Sequence, residues 1–454
     1  MLDPEVCYRA LAARDPRFDG VFFVGVSTTG IYCRPICPAR VPGRDRCTFF
    51  GAAAAAEHAG FRACFRCRPE RAPGSSSVES MSRVVHAAMR RIEAGALDEG
   101  TLDELASELG ITGRHLRRSM RAELGVSPIE VAEARRLGLA RQLLVETALP
   151  MTEVAFASGF GSLRRFNTVV RDRCGRSPSA LRGTRRTGPG DESLRLLLDY
   201  RPPFDWDGLL AFFTPRATPG VEHVEGRTYL RTVRIGEHRG WVSVSLAKAR
   251  SALQVEVSLS LSRALVPLVG RLRHLFDLDA HPSVVAEHLV RDPALAERVK
   301  ANPGLRIPGA IDGFEVATRA ILGQQVSIAA ARTLHGRLVS GFGETLASRH
   351  PALTHLMPEA GVIARATEGE LTKLGVLPSR ARSLLCLAAA VAGKHLSLDP
   401  GCDPSTFIET LTKLPGVGPW TAHYVALRAL GWPDAFPEAD LGLLRAAGES
   451  TPRA

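Results

Sequence analysis

Leu411-Thr-Lys-Leu-Pro-Gly416-Val-Gly418-Pro-Trp420-Thr-Ala422 reads as two helices joined by a tight hairpin. Gly416 and Gly418 carry no side chain, so the backbone amides of the turn can approach a DNA phosphate without obstruction. Taken alone, the hairpin means DNA backbone binding and nothing more. Twenty residues beyond Trp420 stands Asp440, in a loop-like setting just before Leu441. A carboxylate there can stabilise positive charge that develops in a reaction. The competing reading of Asp440 is a helix N-cap. Glu438 is the alternative carboxylate if the register is shifted.

The hairpin-Gly-Pro-Asp arrangement resembles the helix-hairpin-helix glycosylase superfamily, in which the residue matching Asp440 is catalytic. Upstream, Asp199-Tyr-Arg-Pro-Pro-Phe-Asp-Trp206, Gly236-Glu-His-Arg-Gly240 and Arg319-Ala-Ile-Leu-Gly-Gln-Gln-Val-Ser327 extend the likeness to AlkA-type 3-methyladenine glycosylases from Leu194 onward. That resemblance implies an aromatic cleft for a flipped, positively charged alkylpurine, with Trp420, Tyr424 and Trp206 as base-pocket residues and Phe204 as a further candidate. It places Gln325 in the gap left by the flipped base, and the carbonyls of Thr412, Leu414 and Val417 around a structural monovalent cation. Trp420 stands where bifunctional members carry a Schiff-base Lys, so water is the expected nucleophile. No Cys follows Cys402, which leaves no ligands for a C-terminal iron-sulfur cluster. Members of that family continue past the Asp with a helix bearing another pocket aromatic, whereas this sequence ends at Ala454. A short C-terminus of that kind implies a weakened pocket.

Toward the N-terminus the chemistry changes. Cys33-Arg-Pro-Ile-Cys37 and Cys64-Phe-Arg-Cys67 are two knuckles separated by 26 residues, a spacing that lets four thiolates surround one tetrahedral Zn2+. A purely structural zinc satisfies that spacing equally well. The flanking text, Gly30-Ile-Tyr-Cys33-Arg-Pro-Ile-Cys37-Pro-Ala-Arg40 and Ala59-Gly-Phe-Arg-Ala-Cys64-Phe-Arg-Cys67-Arg-Pro69, resembles the N-terminal module of Ada-type alkylation-response proteins. In that family one ligand thiolate irreversibly takes the methyl group of a DNA methyl phosphotriester, and Cys33 occupies its position. Arg34, Arg40, Arg62, Arg66 and Arg68 are the expected phosphate holders. Four thiolates on Zn2+ carry a formal minus two, and methylation makes it minus one, which lowers repulsion from DNA and turns damage into a binding signal. Cys7 and Cys47 lack knuckle partners and read as buried free thiols.

Between these regions, Leu102-Asp-Glu-Leu-Ala106-Ser-Glu-Leu-Gly110 and Met151-Thr-Glu-Val-Ala155-Phe-Ala-Ser-Gly159 repeat one pattern, with their glycines 49 residues apart. Thr101 with Glu104 forms a capping-box pattern, and Thr112 and Ser162 are expected to start the second helix of each unit. Arg114, His115 and Arg118, then Arg164, Arg165 and Asn167, stand at the N-terminal ends of those helices, from which side chains reach base edges in the major groove. From Ser162 to Arg186 there are eight Arg and one Asp. The block resembles the AraC-type regulator domain, including Gly175-Arg-Ser-Pro178.

Length and charge set these motifs in context. At 454 residues several domains are expected, and of 58 basic residues only five are Lys. A net charge of +11 carried by Arg points to nucleic acid, although genome composition alone produces a similar bias. No run approaches a membrane span, the N-terminus lacks a signal-peptide pattern, and nine Cys do not make an exported disulfide framework, so a cytoplasmic, nucleoid-associated bacterial protein with no membrane partner is expected. The fold class is multidomain α+β: a small zinc-bound α/β module (1–72), an all-α double helix-turn-helix (80–184), a small antiparallel-sheet domain (194–305) and an all-α helix-hairpin-helix glycosylase domain (306–454). Flexible linkers are expected at Arg71–Ser77 and Arg182–Asp191. The combined expectation is a damage sensor that binds double-stranded DNA, contacts RNA polymerase and excises alkylated bases. The alternatives are a regulator whose C-terminal half only binds DNA, and a glycosylase whose front modules merely target damaged sites.

Overall fold

Alternating apolar runs near the N-terminus form a four-stranded sheet in the computed structural model, which describes residues 3–74, 81–182 and 193–448. Strand β1 (Phe23–Val26) pairs antiparallel with β2 (Ile31–Cys33) and β3 (Cys47–Phe50), and the short β4 (Arg62–Ala63) adds in parallel to β2. Gly30, at φ +63°, closes the β1–β2 turn with its N–H on the Val26 carbonyl. This topology brings the two knuckles together: Cys33 ends β2, Cys64 directly follows β4, and the Cys64 amide donates to the Tyr32 carbonyl.

The chain divides into two compact units. One comprises Met1–Trp206, Ile235–Arg273 and Asp277–Arg306; the other comprises Asp207–Arg234, His274–Phe276 and Ile307–Ala454. In the first unit, the expected helix-turn-helix pairs fold as Leu102–Glu108 with Gly113–Leu124, and Met151–Ala157 with Leu163–Cys174. The capping signals act as read. Thr101 and Glu104 form a capping box, Thr112 caps through the His115 amide, Ser162 through the Arg165 amide, and both turn glycines take positive φ. The 19-residue helix Pro128–Glu146 joins the two pairs.

Strand β5 (Ser193–Asp199) also belongs to the first unit and pairs antiparallel with β9 (Ala252–Ser258), which pairs with β8 (His238–Leu246). Along β9, Leu253, Val255 and Val257 are fully buried while Gln254 is exposed, the alternation that its sequence shows. The second unit carries the β6 (Glu222–Glu225) and β7 (Thr228–Ile235) hairpin and a helical array. Helix Gly313–Leu322 is buried nearly all round. It packs in one core with Leu338, Leu384, Leu387, Ala422 and Val425. Helices Pro378–Ala392, Pro404–Thr412 and Pro419–Val425 each start on a Pro, whose missing N–H costs nothing in a first turn.

The first expected linker begins later than its composition implies. Arg71 is 6% exposed, the Gly74 amide donates to Asp279 Oδ1 at 2.6 Å, and Arg201 Nη2 donates to the Gly74 carbonyl at 2.9 Å, so Arg71–Gly74 is packed structure. Residues 75–77, and all but Arg182 of the second linker, lie outside the described residues. Among the described residues no helix is long and apolar enough to cross a membrane.

Candidate functional site

The Sγ atoms of Cys33, Cys37, Cys64 and Cys67 lie within 4.8 Å of one another, and those of Cys37 and Cys64 are 4.0 Å apart. A tetrahedral Zn2+ with Zn–S bonds of 2.3 Å needs sulfurs about 3.8 Å apart. The four thiols therefore fit one zinc ion. Hydrogen bonding among them splits their acidities: Cys64 and Cys37 are pushed down, Cys37 to about 7, while Cys33 and Cys67 are pushed up. Four sulfurs at this spacing cannot all ionise without a cation among them. Cys7 and Cys47 are buried outside the cluster, the latter donating to the Gly43 carbonyl.

Of the arginines expected to hold phosphates, Arg40, Arg62 and Arg66 are exposed. Arg34 is not. It is 2% exposed, its guanidinium pairs with Asp19 through two nitrogens, and Nη1 donates to Asp199 Oδ2 at 2.8 Å and to the Cys67 carbonyl at 3.1 Å. Two carboxylates hold that charge inside the protein, so its assignment to DNA binding is corrected. Arg68 is likewise engaged, on Glu70. The helix-turn-helix candidates Arg114, His115, Arg118, Arg164 and Arg165 are exposed and Asn167 is half-buried, with Arg165 also meeting Glu133 at 2.7 Å.

In the second unit a cleft of about 260 Å3 opens beside Asp440. Trp420 and Tyr424, one helical turn apart, stack along one wall with ring centroids 5.3 Å apart and planes 13° from parallel. Asp440 caps a helix and lines the cleft at the same time. Its Oδ1 caps helix Leu441–Ala447 by accepting from the amides of Gly442 (2.8 Å) and Leu443 (3.1 Å), and its Oδ2 accepts from Trp420 Nε1 at 3.2 Å while facing the cleft. Three N–H donors thus aim one carboxylate. Glu438 is exposed and does not line the cleft.

The hairpin shows why its glycines differ. Gly416 sits at φ +73°, and a Cβ there would come within 2.3 Å of Ser383 Oγ, whereas a Cβ at Gly418 would meet nothing within 4 Å. Gly416 is required by the fold, and Gly418 leaves open space outside. Gln325 is exposed at φ +54°, in the loop between helices Gly313–Leu322 and Ile328–Phe342. Trp206, expected in the base pocket, is corrected: it is 1% exposed. Its ring lies against Phe204, which stacks on Tyr200 at 4.2 Å. An indole so enclosed has no face left for a ligand.

Several cleft residues escape a motif-based reading. Arg216 and Arg428 lean over the Phe212 ring with guanidinium carbons 4.2 and 4.9 Å from its centroid, and Arg428 Nη1 donates to the Tyr424 hydroxyl at 2.7 Å. Only the i,i+4 spacing of Tyr424 and Arg428 hints at that pair in sequence. Beside them lies an ion-pair quartet of buried Glu222, Glu315 and Arg231 with partly buried Arg319. Arg319 pairs with Glu222 and with Glu315 (2.7 Å), and Arg231 pairs with Glu315 (2.7 Å) and Glu222 (3.4 Å). Burial pushes Glu222 up, but Arg319 and Arg231 more than offset it and hold its carboxyl near 2. Gln324, beside the expected Gln325, donates to the Gly416 carbonyl (2.9 Å) and to Thr421 Oγ1 (3.2 Å), tying that loop to the hairpin.

Comparison with known proteins gives four matches along the chain. Residues 6–70 match the metal binding domain of Ada, 105–184 a helix-turn-helix domain, 195–312 the AlkA N-terminal domain, and 318–450 the HhH-GPD superfamily of base excision DNA repair proteins. Over 452 residues, 98% of this chain and 90% of the relative, the sequence is 44% identical to a Mycobacterium tuberculosis protein described as a probable bifunctional transcriptional activator/DNA repair enzyme AlkA. The chain belongs to this bifunctional activator/DNA repair enzyme family. The C-terminal half is 37% identical to DNA-3-methyladenine glycosylase 2 of Escherichia coli, over 52% of this chain and 80% of that protein. The front is 36% identical to the E. coli bifunctional transcriptional activator/DNA repair enzyme Ada, over 31% of this chain and 38% of that protein. The family thus joins an Ada-type zinc methyl-acceptor module, an AraC-type DNA reader and a DNA glycosylase in one polypeptide.

Proposed function

We propose that Cys33 is the methyl acceptor and Asp440 the catalytic carboxylate of an alkylation-damage response protein that removes 3-methyladenine-type bases. The observation that carries this reading is Asp440 itself, facing a cleft walled by two stacked aromatic rings while three N–H groups fix its orientation. A cationic alkylpurine binds favourably over the faces of Trp420 and Tyr424. As the C1′–N bond lengthens, the base keeps the bonding electrons and Asp440 stabilises the positive sugar. Water then adds at C1′ and gives up its proton to the carboxylate. The products are free base and an abasic site.

At the other site, bound zinc keeps its ligand sulfurs deprotonated and nucleophilic. The Cys33 sulfur attacks the methyl carbon of a phosphotriester, the carbon–oxygen bond breaks, and the phosphodiester oxygen retains the electron pair. Arg40, Arg62 and Arg66, which are exposed, meet neighbouring phosphates in this reading. Each chain reacts once. The methylated form binds promoter DNA through Arg114, His115 and Arg118 and through Arg164, Arg165 and Asn167, with RNA polymerase as the further partner in the bacterial cytoplasm. Gly416 and Gly418 approach a phosphate, Gln325 fills the space of the flipped base, and the carbonyls of Thr412, Leu414 and Val417 hold a monovalent cation. The domain limits we assign are 1–72, 80–184, 194–305 and 306–454.

The deciding experiment follows base release and methyl uptake by the full chain on duplex DNA carrying N-alkylated purines and methyl phosphotriesters. Loss of base release in Asp440→Asn and of methyl uptake in Cys33→Ser, each with the other activity kept, is the expected result. A parent that binds such DNA yet releases no base would instead favour a regulator whose C-terminal half only grips DNA.

A further inference from the structure

Arg34 separates two zinc-ligand positions in sequence, yet its side chain reaches across to strand β5. Nη1 meets Asp199 Oδ2 at 2.8 Å, Nε meets Asp19 Oδ1 at 2.7 Å, and all three side chains are at most 5% exposed. The same residue grips the second knuckle: its amide donates to Cys67 Sγ at 3.4 Å and Nη1 to the Cys67 carbonyl at 3.1 Å. Asp199 also receives Arg250 at 2.8 Å and lies 3.3 Å from Arg71. One carboxylate of β5 therefore gathers three guanidinium groups, one of which grips the second knuckle.

We propose that Asp199 is a positioning residue for methyl acceptance, acting through Arg34 to fix the Cys33–Cys37 knuckle and to keep the Arg34 charge from the thiolates. The inference rests on the reading of Cys33 as acceptor. With Asp199 neutralised, Arg34 keeps one carboxylate while Arg71 and Arg250 also lose this partner, so the potential at the sulfurs becomes more positive, which stabilises their lone pairs and slows their attack on carbon. Removing the Asp199 charge also loosens the link that orients the first knuckle. Both effects run in the same direction. Because Arg34 is inside, neither one changes the hold on DNA.

The test uses the zinc-loaded full chain with Asp199→Asn, which preserves shape and removes charge, and Asp199→Glu, which keeps the charge. The expected result is methyl uptake slower by about tenfold at saturating phosphotriester DNA, the usual scale for losing a partner behind a metal ligand. Half-saturation by DNA, zinc stoichiometry and base release should stay parental, and Asp199→Glu should recover most of the rate. Independently of activity, the cobalt-substituted Asp199→Asn protein should show its thiolate-to-metal charge-transfer band at higher energy than the parent, because the sulfur lone pairs are stabilised. An unchanged or faster uptake, an unmoved band, or equal behaviour of the Asn and Glu variants overturns the proposal. Should Asp199→Asn fail to fold, the Glu variant decides: a rate and a band matching those of the parent support the role of charge, and a loss of either rejects it. If the parental chain takes up no methyl, it is the reading of Cys33 that fails, while the cobalt spectra still judge the link from Asp199 to the sulfurs.

Discussion

Replacing Asp440 by Asn separates the helix cap from the catalytic role proposed for this residue. Asn caps helices as well as Asp does, so Oδ1 can keep the Gly442 and Leu443 amides and stability should change by no more than a few tenths of a kcal/mol. The lost charge is another matter. At an effective dielectric near 20, a carboxylate about 3.5 Å from a developing oxocarbenium contributes roughly 5 kcal/mol of attraction. Part of that survives as the amide dipole, and the loss of one preorganised electrostatic partner typically costs about 2.7–4 kcal/mol, or about 10²- to 10³-fold in rate. Asp440→Ala adds the loss of the cap, about 1 kcal/mol of stability. The assay is single-turnover base release from methylated duplex DNA, run beside thermal unfolding. A parental rate in Asp440→Asn refutes the reasoning, as does a slow rate in Asp440→Ala that merely tracks its unfolded fraction.

Other outcomes follow from the same structure. Glu222→Gln leaves Arg319 and Arg231 facing Glu315 alone, so the second unit should lose about 3–5 kcal/mol by denaturant titration. Burial holds His335 neutral, down to about 3, against an ordinary value near 6.5; the unfolded chain thus binds the extra proton first, stability falls as pH drops below 6.5, by at most about 1.4 kcal/mol per pH unit, and His335→Leu should flatten that slope. Stripping zinc with a chelator should abolish methyl uptake and lower the melting temperature of the N-terminal region while base release persists. Arg164→Ala should weaken promoter binding and lower its salt dependence if the side chain meets a phosphate, or relax sequence preference by about 1–3 kcal/mol if it reads a base.

How much of this was legible depended on whether the determining interaction is local. Thr101 and Glu104, Thr112 and Ser162 set helix starts through contacts three residues away, and those signals can be read directly from sequence. The zinc knuckles are legible for the same reason, since each pair lies within one turn and only the β2–β4 pairing is long-range. Asp440 could be found by its distance from the hairpin, but nothing local distinguishes an N-cap from a cleft carboxylate, and the structure shows that the two are not alternatives. Trp206 misled because an indole within a recognisable motif reads as a ligand surface, whereas its burial is set by Phe204 and the packing behind it. The linker at Arg71 misled similarly: Ala-Pro-Gly-Ser composition describes local stiffness, and the partners that fix Arg71, Glu146 and Asp199, are 75 and 128 residues away.

Arginine content carries the same lesson for charge. Composition assigns all the guanidinium groups to one pool and predicts a nucleic-acid partner from the excess. The structure splits that pool. Arg34, Arg71, Arg141, Arg231 and Arg319 are drawn inside against Asp19, Asp199, Glu57, Glu70, Glu146, Glu222 and Glu315, and such pairs leave little field at the surface. These five guanidinium groups are offset by seven carboxylates, whereas Arg114, Arg118, Arg164, Arg171 and Arg176 stand exposed and carry positive charge to the surface. Interior arginines fix local structure, as Arg34 does on Asp19 and the Cys67 carbonyl, while exterior ones stay open to a charged partner. Salt should therefore weaken DNA binding steeply while leaving the interior pairs, which counterions cannot reach, almost untouched.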